Sequence, residues 1–240
     1  MNMQTPIYLA LDFPTGKEAL HFLERHSLAE VPVKVGMELF YREGPYIIHQ
    51  LKENNHPIFL DLKLHDIPNT VKSAMRNLAG LDVDILNVHA LGGAKMIEAA
   101  KEGLLQGARV TVPKLIAVTM LTSMDEDTVQ TDLKQPMELA AYALHLAELS
   151  KAAGADGVVC SPHEAASIKE ACGTDFLTVT PGIRLAGSDK NDQHRIATPA
   201  GARKMQADYL VIGRSVTAAS NPKQAYEQVI EEWKNYDNYN

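Results

Sequence analysis

Short apolar runs rich in β-branched residues recur along the whole chain, at 7–11, 31–35, 58–62, 85–89, 115–119, 157–160, 177–180 and 209–212. They are near-continuously apolar rather than alternating, as parallel strands covered on both faces are. Between them lie stretches with helical spacing, such as 44–53, 70–80, 93–107 and 137–153. In the last of these Leu139, Tyr142, Ala143, Leu146 and Leu149 form one stripe of period 3.6. Eight strand runs in 240 residues leave about 30 residues per strand–helix unit, the size of a βαβ element. The pattern predicts an α/β fold of the (β/α)8 TIM-barrel type, for which ~250 residues is typical. An open doubly wound sheet is the competing architecture, and eight repeats without a GxGxxG turn fit closure better. No Pro/Ser-rich linker or shift of composition divides the chain, so a single domain over 1–240 is expected.

Two longer polar stretches, 122–135 and 185–198, follow the fifth and seventh predicted strands. Both leave strand C-terminal ends, the face on which barrel active sites sit. Connections of this length are uncommon unless they are functional or disordered.

Composition narrows the function. Hydrophobic residues make up 45% of the chain and charged ones 22%, with a formal net charge of −7. Such a chain supplies a core and is not disordered. It has no basic excess with which to neutralise duplex phosphates, so nucleic acid is not expected as its partner. A small anionic ligand needs only a few well-placed Lys and Arg residues and stays open. No apolar run approaches the ~18 residues of a membrane span, and the N-terminus lacks the basic region of a signal peptide. Two cysteines, Cys160 and Cys172, are too few for a disulfide scaffold or a four-cysteine metal site, and a cytoplasmic location is expected.

The densest chemistry is the segment Asp61-Leu62-Lys63-Leu64-His65-Asp66-Ile67-Pro68-Asn69-Thr70. Strand side chains alternate, so Asp61 and Lys63 share one face and Leu60, Leu62 and Leu64 the other. With helices packed outside the barrel, the leucines face the helices and the charges face inward. A charge at an inward strand end must be paired or used. A structural Asp–Lys pair would explain this segment alone. Asp12 and Lys34, however, end neighbouring strands, and four charges of alternating sign at one barrel mouth are not what scaffold stability requires. A lysine among carboxylates is favoured in its charged form, which makes a poor Schiff-base nucleophile. It suits stabilisation of a developing carbanion followed by proton donation, and so proton-transfer or decarboxylation chemistry.

A second group lies at the ends of strands seven and eight, in Thr180-Pro181-Gly182-Ile183-Arg184 and Gly213-Arg214-Ser215. Barrels often bind phosphate there. Gly182 and Gly213 allow close backbone approach, and Arg214 supplies a planar charged fork.

The motifs LDFP, VKVGMELF, FLDLKLHDIPNTV, VTMLTS, TPGIR and VIGRS occur in this order from near the start of the chain to near its end. Together they resemble the orotidine 5′-phosphate decarboxylase family. The resemblance implies a cofactor-free lyase acting on a nucleotide, with no metal. It implies Lys63 as proton donor to C6 of the pyrimidine, Asp61 beside the substrate carboxylate, and Lys34 completing the charge chain while touching ribose. Asp12 is implied to bind ribose, and Thr122, or Ser123 beside it, to read the pyrimidine. Gln193 would bridge base and phosphate, and Arg184, Gly213 and Arg214 would hold the phosphate end. Asp66 and Thr70 are implied to enter the site of a neighbouring subunit, which makes the protein a homodimer.

Three rival readings compete with this one. His65 and His89 with Asp61 or Asp66 suggest metal ligation, although a histidine near a strand end is more often a hydrogen-bonded structural residue. Related sugar-phosphate decarboxylases and hexulose-phosphate synthases share the Asp61-x-Lys63-x-x-Asp66 pattern but use Mg²⁺, with an acid where this chain has Lys34. A non-catalytic phosphate-binding barrel would need no lysine flanked by acids.

Overall fold

The computed structural model describes residues 5–185 and 196–238. Among the described residues eight parallel strands close into a barrel in chain order. They are β1 (Ile7–Ala10), β2 (Val33–Gly36), β3 (Ile58–Leu64), β4 (Ile85–His89), β5 (Lys114–Val118), β6 (Gly157–Val159), β7 (Leu177–Thr180) and β8 (Tyr209–Ile212). β8 pairs with β1 to complete the closure, through Ile7↔Leu210, Tyr8↔Val211 and Leu9↔Ile212. The (β/α)8 barrel is the architecture anticipated, and the doubly wound sheet is excluded.

The helices are α1 (Gly16–Arg25), α2 (Met37–Glu43), α3 (Pro45–Glu53), α4 (Pro68–Ala79), α5 (Ala94–Gly107), α6 (Leu139–Ala152), α7 (Pro162–Cys172), α8 (Pro199–Lys204), α9 (Arg214–Thr217) and α10 (Pro222–Lys234). Local signals set their starts. Thr15 caps α1 by accepting the Glu18 N–H, and Ser161 with Glu164 forms a capping box on α7. Proline opens α3, α4, α7, α8 and α10, where its missing N–H costs nothing. Pro68 thus starts α4 two residues before the predicted 70. The polar stretch 122–135 is not featureless: Thr128–Asp132 forms a π-helical turn anchored by buried Val129.

The two faces of each strand bury different cores. Leu9, Val33, Val35, Leu60 and Leu62 pack outward against the helices. Tyr8, Phe59, Ile85, Ile116, Val179 and Val211 fill the barrel axis. The inward set therefore includes the positions two residues before Asp61 and two before Asn87, as period-2 alternation requires.

Three aspartates close the N-terminal rim. Asp84, Asp156 and Asp208 each stand just before an even-numbered strand and accept, at 2.7 Å, the N–H of Ile58, Leu115 and Thr178 respectively. Lys101 joins Asp156 and Lys169 joins Asp208. This rim is the end of a barrel devoted to stability.

β3 departs from the expected 58–62. It runs on to Leu64, and its register with β4 shifts between Leu60 and Leu64. Within that shift Lys63 takes φ +50°, a left-handed value unusual for a residue other than glycine.

Candidate active site

The charged side chains form one connected row at the C-terminal mouth. Lys34 Nζ donates to Asp12 Oδ1 at 3.0 Å and lies 3.5 Å from Asp61 Oδ2. Lys63 Nζ donates to the other oxygen of Asp61, Oδ1, at 2.6 Å. Lys34 and Asp61 are buried, Lys63 is half-buried and Asp12 is exposed. Each is carried by its strand: Lys34 between outward Val33 and Val35, Asp61 between Leu60 and Leu62, and Asp12 two residues past inward Ala10.

The row is electrostatically self-consistent. Burial pushes the Lys34 ammonium towards neutrality, but the charges of Asp61 and Asp12 outweigh it and hold its pKa above the ordinary lysine value. Burial likewise pushes Asp61 up, and Lys34, Lys63 and the hydrogen bonds from Lys63 and Asn87 outweigh that, holding it below the usual carboxylate range. A buried pair of this kind persists because every charge has a partner.

Asp12, Lys34, Asp61 and Lys63 line a cavity of about 540 Å³, within the usual size of a small-molecule site. The same cavity is lined by Thr122 and Ser123 after β5, by Gly182 and Arg184 after β7, and by Gly213 and Arg214 after β8. Gly182 has φ +81°, which only glycine adopts without strain. Arg184 is buried and its Nη1 donates to the Ile183 carbonyl at 2.9 Å. Its segment is pinned by Arg184 N–H to Ala197 O and Ala197 N–H to Gly182 O. Apolar side chains, among them Phe59, Val118, Met120 and Val159, form much of the remaining wall. A smaller cavity of about 190 Å³ reaches Lys34, Asp61 and Lys63 from the side of Gly36, Met37 and Glu38.

Two sequence-predicted residues do not line their own chain's cavity. Asp66 and Thr70 are exposed, and Asp66 Oδ1 accepts the Ile67 N–H at 2.6 Å. Gln193 lies outside the described residues. Sequence reading also missed a participant. Asn87 is fully buried on β4 and binds both Asp61 and the backbone of Lys63. The available signal was its polar side chain in ILNVH, on the same inward face as Ile85 and His89.

His65 and His89 stack with ring centroids 5.7 Å apart. Burial, His65 and Lys63 lower the His89 pKa, so its neutral form is favoured. Among the described residues no group of three or more His, Cys, Asp or Glu is arranged to hold a metal ion. No helix among them is long and apolar enough to cross a membrane.

The family model described as Orotidine 5'-phosphate decarboxylase / HUMPS family matches residues 5–229. The chain is 53% identical over 234 residues to an orotidine 5'-phosphate decarboxylase of Bacillus cytotoxicus, covering 97% of this chain and 98% of that one. It is 54% identical, with the same coverage, to the enzyme of that name from Geobacillus sp. strain WCH70. The crystal structure of orotidine 5'-phosphate decarboxylase from Lactobacillus acidophilus superposes with a TM-score of 0.86 at 43% identity, covering 95% of this chain and 99% of that one.

Proposed function

The chain belongs to the orotidine 5′-phosphate decarboxylase / HUMPS family, and on that premise we propose that it is a cofactor-independent carboxy-lyase converting orotidine 5′-monophosphate to uridine 5′-monophosphate and CO2 in pyrimidine biosynthesis. One catalytic domain over 1–240 carries the reaction, in the cytoplasm. The observation that carries this reading is the row Asp12–Lys34–Asp61–Lys63 on a cavity that also holds Arg184 and Arg214.

The chemistry follows from where charge develops. Breaking the C6–carboxylate bond leaves its electron pair on C6, in an orbital that the pyrimidine π-system cannot delocalise. A fixed cation in a water-poor site must stabilise that pair. Lys63 supplies the cation and then its proton, which forms the C6–H bond of the product. The neutral amine recovers a proton from solvent. Asp61 sits beside the substrate carboxylate, and their repulsion is relieved as CO2 departs. Lys34 fixes Asp61 and, with Asp12, meets the ribose hydroxyls. Thr122 or Ser123 reads the base with Gln193. Gly182, Arg184, Gly213 and Arg214 hold the phosphate, whose binding energy organises the site.

Asp66 and Thr70 complete the neighbouring subunit's site in a homodimer. Their exposure supports this, as does Ile67 between them, an apolar side chain 70% exposed at the same rim. The Mg²⁺-dependent relatives are the rival reading. An ammonium at Lys34, 3.5 Å from Asp61, stands where a divalent cation would need a carboxylate.

The test follows the fall in orotate absorbance with purified enzyme, with and without EDTA. Turnover unaffected by chelation is expected, with Lys63→Ala lowering kcat by about a thousandfold or more. Loss of activity on chelation would refute the metal-free mechanism, and no turnover of orotidine monophosphate would refute the substrate.

A further inference from the structure

Asn87 has no part in the chemistry above, yet its amide is spent entirely on the two central residues. Its Oδ1 accepts the backbone N–H of Lys63 at 2.7 Å, and its Nδ2 donates to Asp61 Oδ1 at 2.7 Å. The same Asp61 oxygen receives Lys63 Nζ at 2.6 Å. A closed ring results: Lys63 amide, Asn87, Asp61, Lys63 ammonium. It sits where the β3–β4 register is broken and where Lys63 is held at φ +50°. A non-glycine residue is strained in that conformation and persists where its surroundings over-determine it. Asn87 is the over-determining group here, because it holds the displaced amide directly. It is 0% exposed and does not line the cavity, so it reaches the reaction only through Asp61 and Lys63.

We infer that Asn87 is a positioning residue for the decarboxylation, locking the left-handed backbone of Lys63 and one oxygen of Asp61 so that the ammonium points into the cavity in one orientation. The inference rests on the reading of Lys63 as proton donor. An asparagine present only to fill a core would need no bond to either residue. A purely apolar side chain here would leave the Lys63 N–H unmet and the Asp61 oxygen with one donor fewer. Asn87 also helps to hold Asp61 ionised, through the hydrogen bond it donates.

Two variants test this. Asn87→Ala removes both bonds, while Asn87→Asp keeps the acceptor for Lys63 but sets a carboxylate against Asp61. Both are expected to lower kcat about 10- to 100-fold, the cost of misplacing a reacting group by ~1 Å. KM for orotidine monophosphate should stay within a few-fold, because the cavity wall is intact. The acid limb of the kcat–pH profile should move to higher pH in both, a change that mere loss of packing does not produce. Wild-type kcat with an unmoved limb in Asn87→Ala would overturn the inference. If Lys63→Ala were inactive in that same series, the proton-donor reading would survive; if Lys63→Ala still turned over, the donor reading would fall on its own. Should both Asn87 variants fail to fold, the wild-type protein decides by amide hydrogen exchange. A protected Lys63 N–H supports the clamp, and exchange at the free-peptide rate overturns it.

Discussion

Gly36 faces the ammonium of Lys34: a Cβ on it would stand 3.1 Å from Lys34 Nζ and 3.6 Å from Asp12 Oδ1. The backbone there has φ −91° and ψ −177°, values open to any residue, so the constraint on this position comes from space and not from the dihedrals. Gly36→Ala is expected to push the ammonium off its two carboxylates by a few tenths of an ångström. The predicted result is a fall of about tenfold in kcat/KM with little change in melting temperature, since misplacement rather than unfolding is the cause. Steady-state kinetics beside a thermal melt checks it; full activity would show that Lys34 has room to spare.

The proposed sharing of Asp66 between subunits makes a stoichiometric prediction. Lys63→Ala and Asp66→Ala should each be nearly inactive as homodimers. A hybrid dimer retains one site with both residues intact. Random exchange of an equal mixture should therefore restore about a quarter of wild-type activity, because half the dimers are hybrid and half their sites are whole. If exchange were demonstrated by mass-tagged subunits and activity stayed at background, Asp66 would act within its own chain or not at all.

Much of this protein is legible in its sequence alone. The eight apolar runs locate every strand among the described residues, because buried parallel strands carry no competing periodicity, and alternation sets Asp61 inward between Leu60 and Leu62. What escapes is not local. The extension of β3 to Leu64 and the left-handed backbone at Lys63 depend on Asn87, which is 24 residues away in the chain. Pairing of that kind is set by the closure of the barrel. The π-helical turn at Thr128–Asp132 is likewise hidden, since Val129 is the one apolar residue within it. Proline marks several helix starts, although periodicity alone places the α4 start two residues late.

The opposite end of the barrel offers a contrast in what buried charge does. Lys169 is 6% exposed, and its Nζ donates to Asp208 Oδ2 at 2.5 Å and to the carbonyls of Thr174 and Phe176 at 2.8 Å. Asp208 in turn holds the Thr178 N–H. Lys169→Met leaves the carboxylate and two carbonyls without their donor. The expected cost is about 1–3 kcal/mol of unfolding free energy with KM unchanged, because two carbonyls and a half-buried carboxylate lose the donor they share. Urea denaturation with parallel kinetics measures both. A variant as stable as wild type would mean that water replaces the ammonium there.

Close helix contact behind the site gives another stability prediction. A Cβ on Gly107 of α5 would stand 1.9 Å from the Arg76 carbonyl oxygen of α4, and one on Gly103 2.3 Å from that of Lys72. Neither neighbour is a flexible side chain, so the helices themselves must separate. Gly107→Ala should cost about 1–3 kcal/mol as overpacking. α4 begins beside Asp66 and carries Thr70, so the same substitution is expected to weaken the proposed dimer. Melting temperature and sedimentation at low protein concentration read the two effects, and a melting curve identical to wild type would contradict the contact.

The last prediction concerns pH. Lys34 has its native pKa raised: burial opposes this, and the charges of Asp61 and Asp12 win. A raised lysine contributes stability that is fully present below its unfolded value of ~10.4 and is lost as pH climbs through the native value. Asp61 is lowered despite burial, so its contribution is present above ~3.9 and disappears as pH falls through its native value. The two windows overlap across the neutral range, where the row should be worth most. Lys34→Met removes the alkaline contribution and weakens the acid one. The stability gap between wild type and Lys34→Met should then be flat from about pH 6 to about pH 10 and shrink above ~10.4. Urea denaturation midpoints at pH 7, 9 and 11 provide the measurement. A gap still unchanged at pH 11 would mean that Lys34 titrates alike in the folded and unfolded chains. A gap that widens between pH 7 and pH 9 would mean a lowered native pKa, with burial rather than the paired carboxylates governing this lysine, because the wild type would then gain stability as the unfolded lysine alone stays protonated.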